Sequence, residues 1–462
     1  MSAVDAVSSV SARIDRLPVT RYVWQLVAMI SFGAFFEIYD LLLSAPLSLG
    51  LLAAGIFHDG AAGLFGLSDQ ASFVAATFAG LYVGTLLFSF VADRFGRRPI
   101  FTIALIWYAV ATFAMGLQSN ALAVDAWRFI ASLGVGLELV AIDCYLAELM
   151  PKAIRGRAFA VSAAIQFLSA PVVGLLAWLL IPGEQLGVAG WRWLTFIPAI
   201  GAVLIWWVRR ALPESPRWLE AHGRSAEAAK TIAAIEDRVA ADLGGPLPPV
   251  GAAVAPLARA DRALSLWRPP YRRRTVTLIA FHLFQTIGYY GFSNWLPTLL
   301  VSQGITIGKS LGYTAVVMLL APVTPLLCSL FADRMERKWM VVGGALLAAA
   351  CGLLLSRMTQ DSDFLIFTLI GGGVAIGNAV MSFAYHNYQS ELFPTRIRAR
   401  GVGFVYSFSR LSAIFTSYIV ALVLKEAGST AVFVLISSAM IAVSLIIGLF
   451  GPRTRGLALE EI

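Results

Sequence analysis

The chain has 462 residues, of which 58% are hydrophobic and 13% charged, with a formal net charge of +8 and a mean hydropathy of +0.77. A soluble domain carries about 25% charged residues. This chain has too few to cover a water-facing surface, which excludes a water-soluble globular enzyme and points to lipid as its solvent.

The first 20 residues, MSAVDAVSSVSARIDRLPVT, are polar and have no apolar stretch followed by a cleavage site. They are read as a cytoplasmic tail (1–22), not a signal peptide. Beyond them, long apolar runs are each sufficient to cross roughly 30 Å of hydrocarbon as a helix. Six are expected at 23–52, 70–92, 100–119, 123–147, 158–181 and 192–210. Six more follow at 275–301, 311–332, 340–356, 364–389, 401–424 and 430–450. The expected domains are therefore a first six-helix bundle (23–210), a cytoplasmic linker (211–274), a second six-helix bundle (275–450) and a cytoplasmic tail (451–462). The fold class is all-α and membrane-embedded.

Inside the first run, FFEIYDLLLSAPLS places Glu37 and Asp40 among aromatic and aliphatic neighbours. At 1.5 Å per residue from Trp24, Asp40 lies roughly 24 Å along the helix and Glu37 roughly 20 Å. An acid at that depth costs on the order of 2.5–3.5 kcal/mol or more. It must be protonated, paired or wet. The i, i+3 spacing puts both acids on one face. Arg128, in the outer part of the fourth run, is the expected partner of Asp40. Burial raises an acid's pKa and a nearby arginine lowers it. An aspartate whose distance from arginine changes between states therefore changes its proton affinity. A static structural pair is the other reading. Glu37 is either a second proton site or a protonated, hydrogen-bonded group, and a second proton would add a drive of about 2.3 kcal/mol per 100 mV. Glu138 and Asp143 are expected to line the inner vestibule.

Between the runs, loop charge alternates. Arg94, Arg97 and Arg98; Lys152, Arg155 and Arg157; Arg334, Arg337 and Lys338; and Arg396, Arg398 and Arg400 fall in alternate loops, whereas 53–69 and 120–122 contain no Lys or Arg. The basic loops, and with them both termini, are assigned to the cytoplasm. The net positive charge is thus topological, and nucleic-acid binding is set aside. In the linker, Ser215 caps a helix with Pro216 in its first turn. An amphipathic helix follows, expected along the membrane surface, and then the flexible stretch ADLGGPLPPVGAAVAP. Cys144, Cys328 and Cys351 lie in apolar runs without metal-like spacing, so no disulfide, metal site or cofactor is implied.

The two halves repeat. ELMPKAIRGRAFA (148–160) matches ELFPTRIRARGVG (391–403), and ADRFGRR (92–98) matches ADRMERK (332–338), at nearly one sequence offset. Six spans per half make a parallel repeat about an axis along the membrane normal, the arrangement in which two bundles rock around a central cavity. Asp93, Gly96, Arg97, Arg98, Glu148 and Arg157, with Asp333, Arg334, Glu391 and Arg400 in the second half, are candidates for ion pairs that tie helix ends together at the cytoplasmic face. Simple topology determinants are the alternative, since exposed pairs contribute only about 0–1 kcal/mol each; the duplication of acid and base favours the latch.

The loop DRFGRRP, the pattern Arg128-x5-Gly134-x-Gly136 and the duplicated Glu-x-x-Pro…Arg loops together resemble the major facilitator superfamily over nearly the whole chain. The resemblance implies a transporter alternating between inward-open and outward-open forms, with the cytoplasmic charges acting as a latch on the outward-facing form. Tyr39-Asp40 is similar to the motif of proton-linked sugar and aromatic-acid porters and of metabolite–proton symporters. Arg410, about nine residues and roughly 14 Å into its span, resembles the arginine of organic-anion members and suits a substrate carboxylate; a pair with Glu37 or another first-half acid is the alternative. Gln285 and Gly288 fit a sugar-porter pattern, but Tyr290 stands where that pattern has Asn. PESPRW (213–218) and the tail RGLALEEI are further sugar-porter traits outside the membrane. Gln285 and Tyr290, with Gln166, Tyr289, Asn294, Asn378 and Tyr385, complete the expected substrate groups around Arg410. His282 and His386 are read as structural. The expectation is a plasma (inner) membrane symporter of a proton and a small organic anion, an aromatic monocarboxylate being one candidate, that works as a single copy in the bilayer. The alternatives are a sugar or polyol symporter and an efflux antiporter.

Overall fold

The computed structural model describes residues 10–58, 68–95, 97–151, 153–210, 212–250, 266–269, 271–331, 335–358, 363–393 and 398–453. A short helix, α1 (Val10–Asp15), precedes α2 (Arg21–Ala53), α3 (Asp69–Phe95), α4 (Arg97–Gly116) and α5 (Ala121–Leu149). Then come α6 (Arg155–Phe167), α7 (Ser169–Leu180), a two-residue hairpin of β1 (Glu184–Gln185) and β2 (Val188–Ala189), and α8 (Gly190–Arg209). The hairpin turns through Leu186 and Gly187 at φ 56° and 73°, the left-handed pair its tight turn requires.

The linker holds α9 (Pro216–Ala221) and α10 (Ser225–Leu243). The Ser215 side chain accepts from the Trp218 amide at 3.1 Å, as a capping serine should. The second half holds α11 (Tyr271–Ser293), α12 (Leu296–Ser302), α13 (Ile307–Met318), α14 (Val323–Phe331), α15 (Arg337–Leu355), α16 (Phe364–Glu391) and α17 (Arg398–Phe450). Gly428, at φ 78°, divides α17 into two lengths near the predicted gap at 425–429.

Each predicted run coincides with a helix, but three are interrupted. The runs at 158–181, 275–301 and 311–332 break into α6/α7, α11/α12 and α13/α14. Each first half ends at Phe167, Ser293 or Met318, four residues before Pro171, Pro297 or Pro322. Proline supplies no N–H to the carbonyl four residues back and its ring crowds that carbonyl. Pro46 and Pro198 sit within α2 and α8 without ending them.

The helices present apolar side chains outward, among them Val110, Leu369, Phe415 and Leu449. Among the described residues, 7 helices are long and apolar enough to cross a membrane. Close crossings tighten the interior. A Cβ on Gly84 would lie 2.4 Å from the Leu133 carbonyl oxygen, and one on Gly136 2.5 Å from that of Leu81, so α3 and α5 meet backbone to backbone. Gly344 and Gly377 do the same for α15 and α16.

The linker helix departs from its expected place. Its apolar face, Ala228, Ile232, Ile235 and Val239, is buried in a cluster with Val10, Ile14, Trp218, Ile142 and Tyr145. Protein, not membrane, covers it. Ion pairs fasten the same contact: Arg13 and Arg16 both bind Glu236, Arg16 at 2.6 Å, and Arg217 reaches Asp15 at 3.0 Å.

Candidate functional site

Asp40, on α2, and Arg128, on α5, meet in the interior at 1% and 0% side-chain exposure. Arg128 Nη1 donates to Asp40 Oδ1 at 2.5 Å. Its Nη2 donates to the Asp40 backbone carbonyl at 2.7 Å and to Ser44 Oγ at 2.9 Å. Its Nε donates to Thr77 Oγ1, on α3, at 2.8 Å. The ring of Phe73 lies 5.3 Å from the guanidinium carbon. Asp40 Oδ2 is buried and has no hydrogen-bond partner. A buried carboxylate oxygen without a donor is costly as an anion. Ser44, Thr77 and Phe73 were not expected from sequence, because hydroxyl and aromatic side chains are common in apolar helices.

Glu37 is buried one turn before Asp40 on the same helix. The side chains of Glu138 and Asp143 lie outside the described residues.

In the second half, Arg410 on α17 is 4% exposed. It donates to Tyr290 Oη on α11 at 2.9 Å and to Tyr406 Oη, one turn away, at 3.2 Å. Among the described residues no carboxylate, Glu37 included, lies within ion-pair distance of it. Its surroundings are aromatic. Tyr289 stands edge-on to Tyr290, and Tyr385 packs against Phe281, His282 and His386. Gln285 Oε1 and Asn378 Oδ1 are buried with no hydrogen-bond partner. His282 Nε2 lies 3.0 Å from Gln389 Oε1, and its buried Nδ1 has no hydrogen-bond partner. Tyr406 was missed in the sequence despite its i−4 spacing from Arg410.

The two clusters touch through α3. Thr77 bonds Arg128, and its neighbour Phe78 packs edge-on against Tyr290 with ring centroids 4.5 Å apart. Tyr290 in turn accepts from Arg410. Contacts therefore run from Asp40 to Arg410 across the seam between the halves.

Two other expected substrate groups stand apart. Gln166, on α6, donates to Ser162 of its own helix at 3.0 Å. Asn294 sits at the end of the seam near the first turn of α3, where its backbone carbonyl accepts from Gln70 at 3.3 Å. That end is closed. A Cβ on Gly174 of α7 would lie 3.2 Å from the Ala315 Cβ of α13, and Trp178 packs over Gly312.

Of the cytoplasmic charges, Gly96, Asp333, Arg334 and the side chains of Asp93, Arg97 and Arg400 lie outside the described residues. Arg98 donates through its guanidinium to the Arg210 carbonyl at 2.7 Å, and its amide faces Glu214. Glu391 pairs with Arg337 at 3.0 Å, a partner read in the sequence only as a topology determinant. Arg157 is exposed, and Glu148 is half-buried at the end of α5.

Residues 26–462 match the family model described as sugar (and other) transporter. The chain belongs to this family. It is 30% identical to the putative metabolite transport protein YyaJ of Bacillus subtilis over 97% of this chain and 96% of that one. It is 25% identical to the niacin transporter NiaP of Acinetobacter baylyi over 98% and 99% of the two chains. Its fold is similar to that of the xylose transporter XylE from E. coli in a partially occluded inward-open conformation, with a TM-score of 0.76 at 18% identity, covering 95% of this chain and 99% of that one. The protein is a multi-pass plasma-membrane transporter of the major facilitator superfamily, related to the sugar porters.

Proposed function

We propose that this member of the sugar (and other) transporter family is a proton-coupled symporter of a small organic anion, with an aromatic monocarboxylate the best-fitting class. The observation that carries the reading is Arg410, a buried cation whose partners are two phenols. A guanidinium held only by neutral groups retains its affinity for an anion, and its planar fork suits a carboxylate. The surrounding tyrosine and histidine rings suit a flat ring attached to that carboxylate. The similarity to a niacin transporter points the same way, since niacin is an aromatic monocarboxylate.

In this mechanism the outward-facing protein takes up a proton on Asp40 Oδ2. The anion docks on Arg410, with Gln285, Asn378 and Tyr385 supplying polar and aromatic contacts. Cation and anion neutralise one another, the seam closes over them, and the bundles tilt to release both inside. The contact of Phe78 with Tyr290 is the route by which the two clusters sense each other. The acids and bases of the duplicated cytoplasmic loops hold the outward-facing form. One proton moving with one monoanion transfers no net charge.

A sugar or polyol reading has its own support in the buried, unpartnered amide oxygens of Gln285 and Asn378. A thermal-shift screen of the purified protein against carboxylates and neutral sugars separates the two. Aromatic monocarboxylates should raise the melting temperature, and Arg410→Gln should abolish that rise. Stabilisation by neutral sugars alone would exclude the anion reading.

A further inference from the structure

Away from the seam, a cavity of about 490 Å³ opens between the linker and the start of α4. Its polar lining includes Arg98, Arg224, Lys230 and Arg238, opposed by Glu214 and Glu227. Glu227 is taken by Arg224, which grips it through Nε at 2.7 Å and Nη2 at 2.6 Å. Glu214 accepts the backbone amides of Arg98 and Ser215. The guanidinium of Arg98 reaches only a carbonyl, and that of Arg238 lies 5.2 Å from the ring of Tyr22. Among the described residues, no carboxylate stands within ion-pair distance of Arg98, Lys230 or Arg238. Arg98, Lys230 and Arg238 thus share a pocket of small-molecule size in which Glu214 is the remaining acid, leaving an excess of positive charge.

The cavity also has a greasy approach. Ile103, Ile106, Trp107 and Val110 of α4 are 56%, 40%, 43% and 61% exposed. Their spacing of three, one and three residues places them in one stripe along the helix. Pro99, on the cavity wall, continues that stripe toward the helix start. A soluble anion has no use for an apolar track; an acyl chain does. The basic loops place this end of the molecule at the cytoplasmic leaflet, whose anionic lipids attract juxtamembrane cations.

We infer that this cleft binds the headgroup phosphate of an anionic phospholipid, with the phosphate among Arg98, Lys230 and Arg238 and the chains lying along the stripe of α4. Occupancy ties α10 to the start of α4, so the lipid acts as a staple between the linker and the first bundle.

The test uses the purified full-length protein in mild detergent, titrated with phosphatidylglycerol, phosphatidylcholine or inorganic phosphate and read by native mass spectrometry and melting temperature. Phosphatidylglycerol should bind at least about tenfold more tightly than phosphatidylcholine and raise the melting temperature. The pair Lys230→Gln and Arg238→Gln should erase that preference while leaving the lipid-free melting temperature unchanged. Lys230→Glu alone, at an exposed side chain, should weaken phosphatidylglycerol binding in the same direction if the double variant folds poorly. Equal binding of the two lipids, wild-type affinity in the variants, or equal protection by inorganic phosphate would each overturn the assignment.

Discussion

Arg128 uses four of the five N–H groups a guanidinium offers, and three of those bonds do not depend on the charge of Asp40. Protonating Asp40 therefore removes the ion pair without freeing the arginine, which stays moored to Ser44, Thr77 and a carbonyl. In the proposed cycle the proton would exchange at Oδ2 while the geometry persists. Asp40→Asn should accordingly fold and still exchange substrate, yet fail to accumulate it when a pH gradient is imposed on proteoliposomes. Concentrative uptake by this variant would remove Asp40 from the coupling step. Stability should fall as well, since breaking a buried pair leaves an uncompensated charge worth about 3–5 kcal/mol. At this scale the sequence was readable where chemistry is rare: an acid and an arginine at hydrocarbon depth have few reasons to be there. It was silent about Ser44, Thr77 and Tyr406. A hydroxyl in a membrane helix commonly bonds the carbonyl four residues back, as Ser31 and Thr102 do here, so its presence singles out nothing.

Among the elements, proline explains the main difference between the expected and observed helices. Hydropathy sees only continuous apolar runs, whereas hydrogen bonding requires each break to fall four residues before Pro171, Pro297 and Pro322. The same rule could not be applied blindly, because α2 and α8 absorb Pro46 and Pro198. The crossing of α3 and α5 depends on glycine. Gly84→Ala should destabilise the protein by about 1–3 kcal/mol, because the new methyl meets backbone that cannot swing away; a thermal melt in detergent would register it. The docking of α1 on α10 is electrostatic as well as apolar. Burial works to raise the pKa of Glu236, but hydrogen bonds from Arg13 and Arg16 outweigh it and hold the group below its usual 4.5. A depressed acid contributes stability above its unfolded pKa and loses it as pH falls through the folded value. The tail should stay docked at neutral pH and loosen as pH drops below 4.5. Glu236→Gln should loosen it at neutral pH, seen as faster tryptic cleavage after Arg13 and Arg16. Unchanged cleavage would assign the docking to the apolar contacts of Val10, Ile14 and Leu17 instead.

For the whole molecule, the internal repeat and the alternation of loop charge made the transporter class legible, because both are properties of the entire chain. How the halves meet was not, since packing across the seam depends on small residues with no signature of their own. Gly174 and Ala315 are one such meeting point. A Cβ on Gly174 would lie 2.8 Å from the Ala315 Cα, so a larger side chain there has no room while the halves touch, and Gly174→Leu should wedge this end of the seam apart. If the two ends of the seam open alternately, the variant should lose uptake into proteoliposomes; undiminished uptake would show that closing this contact is not part of the cycle. The proline breaks bear on the same motion. They cut three helices at the seam into an upper and a lower piece, and a jointed post can swing at one end while the other stays planted. In the proposed cycle such joints would add a hinge at each end to the tilting of the bundles, so that the cargo is enclosed at both ends before it is released and the membrane is never left ajar.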